Sequence, residues 1–437
     1  MTPTMAGGPV AGQASQPAGE PAGGPAPESV DATGSPRRRW RRVMIPLVVS
    51  VAVLLLAVLG VAVRLSPPPR VAVRAAAAAP VVAPGSAPSL PWPAAGEAAV
   101  SVPAVGFAAR SGPERPAPVA SLTKLMTAWV ILRDHPLSHG EPGPTVTMTA
   151  TDVADYVFRN ASDQAGVQVV AGETLTERQL LEGLIVRSAG NLADTLARWD
   201  AGTIAAFVAK MNAAARGFGM SHTRFVDATG FDPGSMSTAG DLLELAAALM
   251  AEPSFATIAD MPSITLPVAG FLYSYTPLVG TQGVVGVKSG LTQAAGGCDV
   301  LALATAVDGR PLLVLAAVTG QDGPDVLAQA GSIALGLARA AASGVRPVRV
   351  LRRGELVGFA SSAGDRVRVV ATAPASVLAW AGRSVVARLR VTDRPVGGAA
   401  VGTVVAQSVV TSGRQRIAVP ARLAGNLPTP SLAKRLF

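Results

Sequence analysis

Ser121-Leu122-Thr123-Lys124-Leu125-Met126-Thr127-Ala128-Trp129-Val130-Ile131-Leu132 sets a serine three places before a lysine and then stays largely apolar up to Pro136. Apolar residues on every side of such a run predict a helix buried all round and ending before the proline. A serine in the first turn sits near the positive end of the helix, and the i, i+3 spacing brings Lys124 onto the same face. Burial would lower the lysine pKa, so that a neutral amine could accept the serine proton. The chain writes nearly all its cations as arginine: of 37 Lys+Arg, only Lys124, Lys210, Lys288 and Lys434 are lysines. Arginine does not give up its proton in a protein, which makes lysine at 124 a chemical choice. The plainer alternative makes Ser121 a helix cap and Lys124 a lysine that snorkels to the surface.

A second lysine opens Lys288-Ser289-Gly290, which follows Val284-Val285-Gly286-Val287 and precedes a Gly-rich turn and the apolar run Val300-Leu301-Ala302-Leu303-Ala304. The pattern predicts strand, turn and strand. Lysine, hydroxyl and glycine on an edge strand would let a substrate backbone lie alongside, with glycine permitting close approach and the ammonium attracting a carboxylate. Between the two lysines, Leu180–Asp194 reads as an amphipathic helix, the polar turn Arg187-Ser188-Ala189-Gly190-Asn191, and a second helix. Lys210 and Lys434 belong to no motif, so scarcity alone does not mark a functional lysine.

A serine–lysine pair, a serine–asparagine turn and a lysine–hydroxyl–glycine strand, in this order, mark the penicillin-recognising serine enzymes. Further segments agree: Val119-Ala120-Ser121-Leu122-Thr123-Lys124-Leu125-Met126-Thr127, Phe225-Val226-Asp227-Ala228-Thr229-Gly230-Phe231 and Ser237-Thr238-Ala239-Gly240-Asp241-Leu242. On these residues the chain resembles the D-alanyl-D-alanine carboxypeptidase family, the low-molecular-weight penicillin-binding proteins, from about residue 90 to 340. The resemblance implies an α+β fold, a mainly antiparallel sheet flanked by helices plus a helical subdomain, with the site between them. It implies that Ser121 is the acylated nucleophile, Lys124 its base and Ser188 a proton relay. Lys288, Ser289 and Gly290 would hold the terminal carboxylate of the substrate. The oxyanion hole would use the N–H groups of Ser121 and Leu291, where losing one donor costs about 3–4 kcal/mol. Peptidoglycan stem peptides would lose their terminal D-alanine, β-lactams would inhibit covalently, and no cofactor is implied.

The chain departs from that pattern at one point. The family's Ser-x-Asn turn calls for asparagine where this sequence has Gly190, and Asn191 comes one place late. The missing amide would leave a bond to the substrate's peptide group unmade, at about 1–3 kcal/mol or roughly 10- to 100-fold in rate. Either Asn191 swings into the vacant place and contacts substrate, or the site lacks the contact. In the second case the protein is weakly active or a non-catalytic wall-binding protein, and Gly190→Asn improves it. Serine for threonine at Ser289 keeps the hydroxyl. A β-lactamase reading lacks a glutamate assignable as deacylating base. His135, His139 and His222 accompany no G-x-S-x-G elbow, which speaks against a Ser-His-Asp hydrolase.

Outward from the motifs, Val43–Val63 runs 21 residues without a charge. At ~1.5 Å per residue this spans a ~30 Å hydrocarbon core. Arg37, Arg38, Arg39, Arg41 and Arg42 precede it, so the positive-inside rule puts the N-terminus in the cytoplasm and the rest outside the cell membrane. A cleaved signal peptide is the alternative, but the apolar run is long and Arg64 stands where a small cleavage residue belongs. The Gly/Pro/Ala/Ser-rich N-terminus reads as a disordered tail. Pro67-Pro68-Pro69 and Ala75–Ala79 read as an extended spacer.

Near the other end, Val348-Arg349-Val350, Arg366-Val367-Arg368-Val369 and Arg388-Leu389-Arg390-Val391 switch to period two, predicting a small antiparallel β domain with arginine on its outer face. Residues 346–437 carry 15 Lys+Arg against 3 acids, a net +12, and residues 75–345 carry 14 against 22, a net −8. Outside the cell this basic module would meet anionic wall polymers or lipid headgroups, or serve solvation alone, rather than nucleic acid. The single cysteine, Cys298, excludes an intramolecular disulfide framework. The boundaries read from the chain are a cytoplasmic tail 1–42, a transmembrane helix 43–63, a linker 64–90, a catalytic domain 91–342, and a basic β domain with its tail 343–437.

Overall fold

Five strands build the central sheet: β1 (Glu97–Val102), β2 (Phe107–Ser111), β3 (Val284–Thr292), β4 (Gly296–Val307) and β5 (Arg310–Gln321), with β4 and β5 the most continuously apolar. Their order is β3-β4-β5-β1-β2, antiparallel throughout. The period-two pleat sends Leu301, Leu303, Val314, Ala316 and Val318 to one face and Val300, Ala302, Leu315 and Ala317 to the other. Both sets are buried, which is why these strands lack the polar alternation of a half-exposed sheet.

The structure, a computed structural model, describes residues 36–65, 71–112, 114–362, 364–392, 397–429 and 431. The N-terminal tail up to residue 35, Pro67-Pro68-Pro69 and the tail residue Lys434 lie outside the described residues.

One helix, α1 (Pro36–Leu65), stands in a unit of its own. Its Val43–Leu65 portion has a mean hydropathy of 2.9 and is long and apolar enough to cross a membrane. The other helices are α2 (Thr123–Asp134), α3 (Ala150–Ala161), α4 (Glu177–Ile185), α5 (Gly190–Ala201), α6 (Ile204–Phe218), α7 (Ala239–Leu249), α8 (Pro253–Ala259) and α9 (Val326–Ser343). Ala330, Ala334, Leu337, Ala338 and Ala341 of α9 cover one face of the sheet, so α9 is apolar because it is packed. The other face meets α2 and α4 to α8 in a single core. Reciprocal capping boxes fix two helix starts: Thr149 with Asp152 on α3, and Thr176 with Gln179 on α4. Helix α2 is buried at every position from Thr123 to Leu132 except Trp129.

Beyond α9 the pattern changes. Val345–Leu351 pairs with Ala375–Trp380, and a six-stranded antiparallel sheet follows. Its order is Ala72–Ala75, Leu356–Ser362, Asp365–Ala371, Gln415–Leu423, Val404–Ser412 and Ala387–Val391. Arg366, Arg368, Arg388 and Arg390 are exposed on it. Trp380 of the two-stranded pair stacks on Phe107 at 3.4 Å between ring centroids, and Gln415 Nε2 of the six-stranded sheet donates to the Ala104 carbonyl, fixing both to the connection between β1 and β2.

The spacer expectation for 64–90 needs correction. Ala72–Ala75 pairs with Gly358–Ser361 and Val81–Val82 with Ser384–Val385. The backbone here completes a sheet edge, where ladder bonds outweigh the weak side-chain pattern that made the segment look unstructured.

Candidate active site

Ser121 belongs to a 3-10 turn, Ala120–Leu122, that leads into α2, and not to the first α-helical turn as the sequence suggested. Ala120, at the start of this turn, has φ +48, in the left-handed region. The i, i+3 relation survives: Lys124 Nζ donates to Ser121 Oγ at 2.9 Å and to the Thr229 carbonyl at 2.7 Å. Lys124 is only 3% exposed. Burial above all, then the charges of Lys288 and Arg159, hold its amine well below the usual lysine value, against a smaller opposing pull from Asp227 and Asp194. An amine whose burial favours its neutral form, placed beside a hydroxyl, can take the hydroxyl proton.

The carbonyl that holds Lys124 sits in a turn organised by Asp227. Its carboxylate accepts from Thr229 Oγ1 at 2.6 Å, Ser235 Oγ at 2.6 Å, and the N–H groups of Gly230 and Phe231 at 3.0 Å. Burial raises this carboxyl, but the Ser235 and Thr229 hydroxyls and the N–H groups of Asp232 and Gly230 outweigh it and leave it below the ordinary range. Gly230 has φ +78, and a Cβ there would lie 1.8 Å from the Ala120 carbonyl oxygen, so only glycine lets the turn press against the nucleophile. The sequence reading quoted this segment without giving Asp227 a role. Its signal is local: an Asp two places before Thr-Gly, in Asp227-Ala228-Thr229-Gly230, is an Asx-turn pattern.

Strand β3 forms the other wall. A Cβ on Gly290 would be 2.8 Å from Ser121 N and 3.2 Å from Leu122 N, so the strand passes in backbone contact with the serine turn. Ser289, Gly290 and half-exposed Leu291 line the cleft. Ser289 Oγ donates to the Tyr275 carbonyl at 2.9 Å. Lys288 does not line the cleft. It is wholly buried, and its Nζ donates to the Ser289 carbonyl. Burial lowers its amine, opposed by Asp299, whose own buried carboxyl is raised. The expectation that Lys288 presents its ammonium to a substrate carboxylate is corrected to this extent: the amine is buried and bonded to the Ser289 carbonyl, and the register, Lys288 opposite Val300 and Ser289 opposite Asp299, sets it on the other face of the sheet from Asp299, where its charge depresses the Lys124 amine.

The third wall is the turn between α4 and α5. Ser188, with φ +62, lines the cleft and is 4% exposed. Asn191 does not reach it. Its Oδ1 accepts from Val167 N at 3.0 Å and its Nδ2 donates to Val167 O at 2.9 Å, while Gly190 N donates to the Ala165 carbonyl. Asn191 is wholly buried by this two-point clasp, so the substrate-binding role expected for it is corrected. Arg159 occupies the vacant place instead. A Cβ on Gly190 would lie 2.7–2.9 Å from three atoms of its guanidinium. The group donates to Gln164 Oε1 at 2.7 Å and to Asp194, and it lines the cleft. No local pattern singles out Arg159, because its role depends on α3 lying against the start of α5. The cleft between the three walls has a volume of about 320 Å³.

A serine bonded to a buried lysine, between a helical region and the edge of a five-stranded antiparallel sheet, defines the penicillin-binding class of serine–lysine proteins. The fold agrees: penicillin binding protein 5 from Haemophilus influenzae superposes with a TM-score of 0.55 at 20% identity, over 79% of this chain and 99% of that one. A peptidoglycan synthesis regulatory factor (PBP3) from Streptococcus pneumoniae superposes with a TM-score of 0.57 at 20% identity, over 77% of this chain and 99% of that one. Residues 109–322, just under half of the chain, match the family model described as D-alanyl-D-alanine carboxypeptidase.

Among curated relatives, D-alanyl-D-alanine carboxypeptidase DacB2 of Mycobacterium tuberculosis is 35% identical over 185 residues, 41% of this chain and 59% of the relative. A D-alanyl-D-alanine endopeptidase of Pseudomonas aeruginosa is 30% identical over 198 residues, 43% of this chain and 60% of the relative. The chain thus spans about three fifths of the length of these relatives.

Proposed function

We propose that the protein is a membrane-anchored serine-type D-alanyl-D-alanine carboxypeptidase. The observation that carries this reading is the 2.9 Å bond from buried Lys124 to Ser121. Ser121 Oγ attacks the carbonyl carbon of the penultimate D-alanine while its proton passes to Lys124 Nζ. The N–H groups of Ser121 and Leu291 receive the oxyanion. The C–N bond then breaks, and the proton moves through Ser188 to the leaving amine. Water hydrolyses the resulting ester, giving its proton to Lys124, which returns it to Ser121 Oγ.

In this reading residues 91–342 are the catalytic domain and 343–437 a basic β domain that meets anionic wall polymers or headgroups. Residues 43–63 anchor it, with 1–42 cytoplasmic, 64–90 as the connecting segment, and the catalytic part outside the cell. Peptidoglycan stem peptides are the substrates and β-lactams the covalent inhibitors. Labelling with a fluorescent penicillin tests it: wild type should carry an adduct that Ser121→Ala abolishes. A wild type without adduct, or an adduct that persists in the variant, refutes the acyl-enzyme.

Burial of Lys288, whose ammonium is bonded to the Ser289 carbonyl, favours a second reading, endopeptidase action on cross-links, which does not depend on a free terminal carboxylate. Comparing release of terminal D-alanine with cleavage of a D-alanyl bond inside a cross-linked dipeptide separates the two.

A further inference from the structure

We propose that Arg159 is the substrate-binding donor that stands in for the missing asparagine, and that Gly190 is glycine in order to admit it. The inference rests on the reading of this cleft as a D-alanyl-D-alanine site. A Cβ on Gly190 would lie 2.7 Å from Arg159 Nη1 and 2.9 Å from Cζ and Nε, all inside van der Waals contact. The guanidinium therefore lies flat on the α-carbon at the position from which an asparagine side chain would project.

The neighbours hold it there. Gln164 Oε1 and the Asp194 carboxylate accept from Nη1 and Nη2. With Asp194 neutralising its charge, Arg159 serves as a rigid hydrogen-bond fork rather than a free cation. Each of those nitrogens carries a second hydrogen, and Nε has no partner among the described residues. A peptide carbonyl of the acyl part of the substrate is the acceptor such a neutralised fork suits. Asn191 cannot compete for the role while both ends of its amide are tied to Val167.

Positions 159 and 190 then form one coupled unit, which reverses the sequence-based expectation that Gly190→Asn improves activity. A longer side chain at 190 must expel the guanidinium before its own amide can reach the substrate. Arg159→Ala should lower kcat/KM for an N-acylated Lys-D-Ala-D-Ala peptide by about 10- to 100-fold, the cost of one unmade polar contact. Gly190→Asn should lower it as well, by displacing Arg159. The pair Arg159→Ala with Gly190→Asn should recover most of the activity lost in Arg159→Ala, which a purely structural role for Arg159 would not allow.

Calorimetric binding of the same peptide to Ser121→Ala carrying each change supplies a readout free of turnover. If wild type takes no penicillin but the peptide dissociation constant weakens about 10-fold in Arg159→Ala, the donor role stands and the acyl-enzyme falls. Normal acylation with unchanged kcat/KM and unchanged peptide affinity in Arg159→Ala overturns the donor role. Gly190→Asn faster than wild type, or a double variant no better than Arg159→Ala, overturns the coupling.

Discussion

Gly290→Ala perturbs the cleft by a single methyl group whose effect can be worked from distances. The φ of Gly290 is not in the left-handed region, so alanine meets no backbone strain, and the whole effect is steric. Its Cβ would stand 2.8 Å from Ser121 N against an ordinary contact of 3.4 Å, so β3 and the serine turn must separate by about 0.6 Å. Neither partner can yield cheaply, since the obstacle is backbone on both sides. Overpacking of this kind costs about 1–3 kcal/mol of stability. The larger effect falls on the reaction, because the separation moves the Leu291 N–H away from the Ser121 N–H, the two groups proposed to share the oxyanion. Losing one such donor costs about 10²- to 10³-fold. The acylation rate with a fluorescent penicillin, followed by quenched time points on gels, should fall by about 100-fold while the thermal transition shifts by a few degrees. An acylation rate within about threefold of wild type, in a folded variant, would refute the claim that glycine here sets the donor spacing.

Lys124→Arg keeps the charge but cannot accept a proton, and acylation should drop by about 10²- to 10⁴-fold. In wild type the acylation rate should rise with pH as Lys124 loses its proton, with that limb centred below the ordinary lysine value of 10.5 because burial favours the neutral amine. A limb centred at or above that value would contradict it.

Asp227→Asn removes part of the acceptor set for Thr229, Gly230, Phe231 and Ser235, and should cost about 1.5–3 kcal/mol in urea melts together with acylation rate. The folded pKa of Asp227 lies below its unfolded value, so its stabilisation is present at neutral pH and lost as pH falls through the folded value.

Glu177 opens α4 with both carboxylate oxygens buried and without a hydrogen-bond partner among the described residues. Burial, with Glu141 nearby, raises its pKa from 4.5 to about 7. The folded state then binds the extra proton in that window, so stability falls as pH rises through it. Glu177→Gln should raise the melting temperature at pH 8, by about 1–3 kcal/mol of stability, and leave it unchanged near pH 4. Equal gains at both pH values would show that the carboxylate charge is not what costs stability.

Local pattern alone determined a good deal. The all-round apolar run after Lys124 required a buried helix, and α2 is one. The i, i+3 spacing put Ser121 and Lys124 within reach of each other whatever the rest of the chain did. Period-two arginines at 366–368 and 388–390 required strands with a solvated face. All of these are properties of one helix or one strand, which a few neighbouring residues dictate. Tertiary structure decided the rest. Whether Lys288 is exposed or buried, whether Asn191 turns to the substrate or to Val167, and which side chain fills the space above Gly190 depend on elements far apart in sequence arriving at the same place. Arg159 lies on α3 and Gly190 opens α5, and nothing in either segment announces the other. The space above Gly190 holds the Arg159 guanidinium, and only the packing of the two helices shows it.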